Sequence, residues 1–523
     1  MTPWRARRIR RLLALWGPLV AISVTSVVIS LLVWRHLEST LTRAERYARA
    51  RSNDDNQAAE QIAWGMVGKN PEQLRWWIRF TDAHADVIAD EEPSSISDAA
   101  IRAQLAKASD PRVKTIESYF YALRMHSGEP DPSSVLPLAD ANPPAPFANF
   151  VIGEGAIEKK DEQTAAIRFE REGSSSSEIR QPCQRRALRT WIDDNDWASV
   201  RRRINDPGWA GVVDASLRLD LAVHDRDVLH VLLWAWPASY VEITAWPFVL
   251  AAVAATLWFW IATRLGRIHD AVPGRVFLYV ISVVLGILSI YPTLLTVTIQ
   301  DEMGFREVGQ FVPDLIYNVF GIGLREEAWK AILFLPLLPT LLRRGSRIEA
   351  MTCGALVGLG FAAEENIGYF EHGADAALSR FLTANFLHMS LTALVALSMF
   401  DTLRRRATSR DAFKVVFPLA MAIHGAYDFS LGSNELPMSS LLSIILLIII
   451  TQRFLRQLLI ASSRDDERDV LNLFVASMAA ITGVAYIYAT TQVGPMDAFR
   501  SISLGGLSVA IVIFMFVREL RPS

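Results

Sequence analysis

Seven side chains stand where an apolar chain has little use for them. Glu326, Glu327, Glu364, Glu365 and Asp428, with His388 and His424, each fall inside a run dominated by Leu, Ala, Val, Ile and Phe. Of the nine histidines, only these two lie in such runs. A charge at a bilayer centre costs about 2.5–3.5 kcal/mol on insertion scales, so a cluster of them points to chemistry. Carboxylates beside imidazoles suit activation of water. Glu326 or Glu327 would take the proton, and His388 or His424 would stabilise an oxyanion or protonate a leaving amine. Glu365, His388 and His424 also make a Zn²⁺ ligand set of two imidazoles and a carboxylate, with a position left open for water. The residues alone leave both mechanisms standing. The chain contains neither the "HExxH" zinc helix nor a "GxSG" nucleophile loop.

Spacing adds detail. Glu326 and Lys330, Glu365 and Tyr369, and His424 and Asp428 are each four residues apart, so each pair shares a helix face. Lys330 is expected to offset Glu326, and Asp428 to hold one nitrogen of His424. Asn385 and Thr392 flank His388 at i−3 and i+4 and would line the same cavity.

The elements that must position these groups are transmembrane helices. The chain is 51% hydrophobic over 523 residues, and its apolar stretches have the length of about 20 residues that crosses a bilayer. Ten spans are expected, near 13–35, 244–264, 276–299, 322–342, 348–370, 381–403, 412–432, 437–456, 470–490 and 498–517. Basic residues collect at "WRARRIRR", "RLGR", "RRGSR", "RRRATSR", "RFLRQ" with "SSRDDER", and "RELRP". The alternate loops "GSNELP" and "TQVGP" have none. The positive-inside rule then places both termini in the cytoplasm. Residues 1–36 form a basic N-terminus with an uncleaved first anchor; the apolar stretch is longer than a signal-peptide core, and "WRHLEST" offers no small-x-small cleavage site. In this topology Glu326, Glu327, Glu365, His388 and His424 come from four consecutive helices of alternating direction. All lie roughly 7–12 Å below the outer surface at ~1.5 Å per residue.

Residues 37–240 are a polar, extracytoplasmic block rich in helix-forming residues, and 241–523 are the transmembrane core. The fold class is therefore all-α. Three segments of the outer block, 58–80, 153–173 and 187–209, share a helix–turn–helix scheme similar to tetratricopeptide-type repeats, whose concave surface holds peptide or protein. "ADANPPAPFANF" and "GSSSSE" read as loops. A net charge of −2 argues against a nucleic-acid partner. The two cysteines, Cys183 and Cys353, fall one outside and one within a span, so no disulfide framework is expected.

"EEAWK" (326–330), "GFAAEENIGY" (360–369), His388 in "NFLHMSLT" and "HGAYD" (424–428) together resemble the motif series of the PrsW-type intramembrane proteases, relatives of the CAAX prenyl protease and bacteriocin-processing group. The motifs occur in the family's order, one per helix, within 322–432. The resemblance implies a peptide hydrolase of metallo- or glutamate type in the bacterial cytoplasmic membrane. It would cleave single-span or membrane-anchored proteins near the outer interface, as anti-sigma factors are cleaved. It carries Glu326, Glu327, Lys330, Glu365, Asn366, Tyr369, His388, His424 and Asp428 over as site residues. Glu364 is additional to the motif, and Thr392 stands where a small residue is expected. Two rivals use the same cluster differently: a proton-coupled transporter, and a non-catalytic receptor that reads the outer block. No inverted repeat supports the first.

Overall fold

Residues 3–126, 130–175, 178–241, 243–266, 274–371, 380–404, 412–432, 439–461 and 467–519 are described by a computed structural model, and no strand occurs among them. Two units emerge, one of Ser39–Ala238 and the other of Met1–Glu38 with Ser239–Ser523.

The first unit is built of short helices whose starts are written in the sequence. Asp55, Ser97, Asp110, Asp161, Asp196 and Asp214 each accept a backbone N–H from the turn that follows, satisfying donors that a helix leaves open. The three expected helix pairs are present: Asn56–Lys69 with Leu74–Ala89, Ala148–Glu158 with Glu162–Ser174, and Arg180–Asp193 with Trp197–Ile204. Helices adjacent in the chain pack on one another. One apolar core gathers around Trp77, Phe80 and Phe120, a second around Phe169, Trp191 and Trp209. Polar stitches run between helices. Glu172, fully buried, accepts from the backbone N–H groups of Phe147 at 2.8 Å and Asn149 at 3.1 Å, at the start of Ala148–Glu158. His84 meets Glu60 at 2.5 Å, and Thr81 donates to Glu117 at 2.5 Å. Burial pushes the Glu117 carboxyl up to about 8, against the Thr81 hydrogen bond that lowers it. Asp82 is raised to about 6 by burial, with Arg124 opposing.

In the second unit the described residues of the expected spans fall on helices, apart from the helix-capping Thr244, while 437–438 lie outside the described residues. Among the described residues, five helical stretches are long and apolar enough to cross a membrane: Leu19–Thr40, Ala245–Leu265, Arg275–Glu302, Asn385–Leu403 and Asn472–Val493. The expected span 322–342 is not one regular helix. A π-helical turn, Tyr317–Gly323, leads into Leu324–Phe334, then a 3₁₀ turn, Leu335–Leu337, and a short helix, Leu338–Arg344. Pro336 and Pro339 remove the backbone donors that a continuous α-helix there would need. The loop residues 372–379, 405–411, 433–438 and 462–466, on which much of the orientation reading rests, lie outside the described residues.

Helix Arg347–Glu371 is the hub, packed on Asn385–Leu403, Arg275–Glu302 and Ala245–Leu265. Small residues permit this closeness. The "GALVG" stretch lays Gly354 and Gly358 against the backbone of Thr392 and His388, where a Cβ would collide. Helix Ala412–Gly432 approaches the π-turn in the same way: a Cβ on Gly425 would strike Asn318 and Val319. Cys183 and Cys353 are buried and free, one in each unit.

Candidate active site

Helix Leu324–Phe334 supplies Glu326, Glu327 and Lys330. Arg347–Glu371 supplies Glu365, Asn366 and Tyr369, Asn385–Leu403 supplies His388, and Ala412–Gly432 supplies His424 and Asp428. Two of these helices are entered through π-helical turns, Tyr317–Gly323 and Arg380–Ala384. Such turns insert a residue and reset which face a side chain leaves from. With the glycine contacts around them, they bring the four helices to one point.

Lys330 lies at its centre, fully buried. Its ammonium is 2.5 Å from Glu327 Oε1 and 3.8 Å from Glu326 Oε2, so its main partner is Glu327 rather than the expected Glu326. It also donates to His388 Nδ1 at 3.0 Å and sits over the Phe361 ring. Glu327, with no exposed side-chain surface, accepts at Oε1 from His424 Nδ1 at 2.8 Å as well. The other ring nitrogen, His424 Nε2, faces Glu326 Oε2 at 3.4 Å and Asp428 Oδ2 at 3.3 Å. The expected His424–Asp428 approach is therefore present, while the nitrogen opposite is held by Glu327 from another helix. The two imidazoles meet edge to face at 4.9 Å between centroids.

Glu365 lies on the far side of His388, its Oε2 3.0 Å from Nε2. Arg380, at the head of the second π-turn, reaches the same oxygen at 3.4 Å and lays its guanidinium on the Tyr369 ring. Arg380 was missed from sequence because it reads as a loop charge at a span boundary. Asn366 donates to Asn385 at 3.2 Å and ties their two helices together beside the site. Thr392 is buried one turn below His388. Glu364 points elsewhere and accepts from Tyr240 at 2.5 Å.

The donor set fits a divalent cation on two observations. Ligand atoms of Glu326, His388 and His424 all lie within 4.8 Å of one another, with Glu326 in the place expected for Glu365. The Oε2 atoms of Glu326 and Glu327 are also buried without a hydrogen-bond partner, a costly state in a dry interior. Among the described residues, the carboxylates Glu326, Glu327, Glu365 and Asp428 face only Lys330 and Arg380 as permanent cations. With neutral imidazoles a divalent cation closes that deficit.

Residues 274–453 match the family model described as PrsW family intramembrane metalloprotease. No curated protein and no solved structure matches the chain. The matched segment, about a third of the chain, contains the whole cluster and all four motif helices.

Proposed function

We propose that the second unit is an endopeptidase that hydrolyses a peptide bond of a single-span or otherwise membrane-anchored protein near the outer interface, using a Zn²⁺-type ion. The convergence of Glu326, His388 and His424 within 4.8 Å carries this reading. These three residues would hold the ion, which when bound polarises a carbonyl and acidifies water. The chain's own groups do the rest. Glu327 accepts from His424 Nδ1, fixing the tautomer so that Nε2 faces the site. Lys330 clamps Glu327, so the His424 imidazole is held from behind. Glu365, beside His388 Nε2 at the edge of the cluster, takes the proton from water and returns it to the leaving amine. Arg380 holds Glu365 in place and offsets its charge.

The topology proposed around this chemistry has ten spans with both termini in the cytoplasm of a bacterial inner membrane. Residues 37–240 lie outside, as a tetratricopeptide-like domain that captures the substrate. Cleavage of an anti-sigma-factor-type protein would make the reaction a signalling step. A transporter would need its charges strung along a path through the membrane, whereas these groups surround a single point.

Glu326→Gln and His424→Ala test the proposal when co-expressed with a single-span reporter substrate. Cleavage is lost in both while each variant stays folded in the membrane, and purified wild type carries stoichiometric zinc that His424→Ala lacks. Unchanged cleavage in both variants overturns the protease reading. Full cleavage by zinc-free protein overturns only the metal.

A further inference from the structure

Helix Val228–Ala238 closes the first unit and turns an apolar flank outward. Val228 is 69% exposed, Leu229 72% and Leu233 58%. At about 100° per residue these three positions share one side of the helix. On the opposite side the Arg218 guanidinium sits over the Trp234 ring at 5.3 Å, and Ala235, two turns on from Val228, is buried. A contiguous aliphatic flank of this kind marks a contact surface.

The sequence beside it says what the contact is. Only Ser239–Thr244 separate this helix from Ala245, the first residue of a 21-residue helix apolar enough to cross a membrane. Six extended residues reach at most ~20 Å, so the C-terminal end of the helix is tethered within that distance of the span, with Val228 at most ~15 Å further along the helix. Trp236, Tyr240 and Trp246 bracket the join, and Trp and Tyr are the residues enriched at membrane–water boundaries.

We propose that Val228–Ala238 is an interfacial helix, lying in the plane of the leaflet at the N-terminal end of the Ala245–Leu265 span. Val228, Leu229 and Leu233 enter the boundary between headgroups and acyl chains. The bilayer itself is the partner. The tether delivers this face to lipid whether or not another protein is present. The inference rests on the Ala245–Leu265 span and is independent of the chemistry at Glu326.

The test uses the full-length chain in vesicles, with a cysteine at Leu229 or Leu233 carrying an environment-sensitive NBD label. Both native cysteines are buried, so labelling reports the new site. Ile167, 53% exposed on the separate helix Glu162–Ser174, gives the control Ile167→Cys. Labels at Leu229→Cys and Leu233→Cys emit at blue-shifted wavelengths and lose most of their emission when phospholipid with a headgroup-proximal doxyl quencher is included. The Ile167→Cys label loses none of its emission to the lipid quencher. Water-like, unquenched emission at both positions overturns the proposal. Blue-shifted emission insensitive to lipid quencher but lost on diluting the protein in the membrane also overturns it, because the flank is then covered by a second copy of the chain.

Discussion

Both units bury ionisable groups, but they spend them differently. In the first unit, polar groups are settled in ones and twos: Glu60 on His84, Glu117 on Thr81, Glu172 on two backbone N–H groups. Each contact joins elements, with Ser94 adding a hydroxyl to the Glu60–His84 pair and Glu117 keeping one oxygen without a hydrogen bond. In the second unit, Glu326, Glu327, Glu365, Lys330, His388 and His424 form one continuous network that still leaves two neighbouring carboxylate oxygens, on Glu326 and Glu327, without a hydrogen bond. A finished pair is architecture. A convergent cluster with unmet acceptors has capacity for a ligand or a reaction.

The sharpest way to break this contrast is to change the acceptors. Glu326→Gln or His424→Ala should lower substrate cleavage roughly 10²–10⁴-fold, read by immunoblot of the reporter, with the melting of the first unit unmoved. Glu327→Gln is milder because that residue acts through His424. We expect cleavage and zinc affinity to fall together by about 10–100-fold, with metal titration as the readout. The mirror experiment is Glu172→Ala, which leaves the Phe147 and Asn149 N–H groups without their acceptor. It should destabilise the first unit by about 1–3 kcal/mol, measured by denaturant unfolding, while metal content stays at wild-type level.

The smallest effect is a pH slope. Glu117 holds its proton up to about 8 when folded, well above an unfolded glutamate, so the folded state binds more protons between about 4.3 and 8. Stability of the first unit then falls as pH rises through that window, by up to about 1.4 kcal/mol per pH unit for one group, and is fully present only below it. Asp82 adds in the same sense at lower pH, since its folded value is about 6. Glu117→Gln, which keeps an acceptor for Thr81, should flatten the upper part of the slope in melting curves taken from pH 5 to 8. An unchanged slope would show that Glu117 is not the buried acid responsible.

Much of the site was legible because charge is expensive in apolar sequence. Glu326, Glu327, His388 and His424 stood out for that reason alone, and the His424–Asp428 pair followed from helical spacing. What spacing cannot supply is which helix faces which. Lys330 could be assigned only to its own helix, where i+4 pointed to Glu326, yet its closest carboxylate is Glu327 and it also bridges to His388. Glu365 was the expected carboxylate of the ligand group, and the structure brings Glu326 there. Arg380 and Tyr240 sit at span boundaries, where a charged or aromatic residue is ordinary, so neither carried a signal. In the first unit the helix starts were readable from Asp and Ser caps, while the interhelical reach of Glu172 was not.

The π-turn at Tyr317–Gly323 makes the site a matter of register as well as residue identity. Glu326 and Glu327 leave their helix at angles set by one inserted residue upstream. Deleting a single residue from that turn would restore regular winding and rotate both carboxylates by about 100°. Every side chain of the proposed site would still be present in the sequence, and none of the four motifs would be altered. The protein would keep its vocabulary and lose its grammar, so a motif match taken without the winding that precedes it overstates what a relative can do.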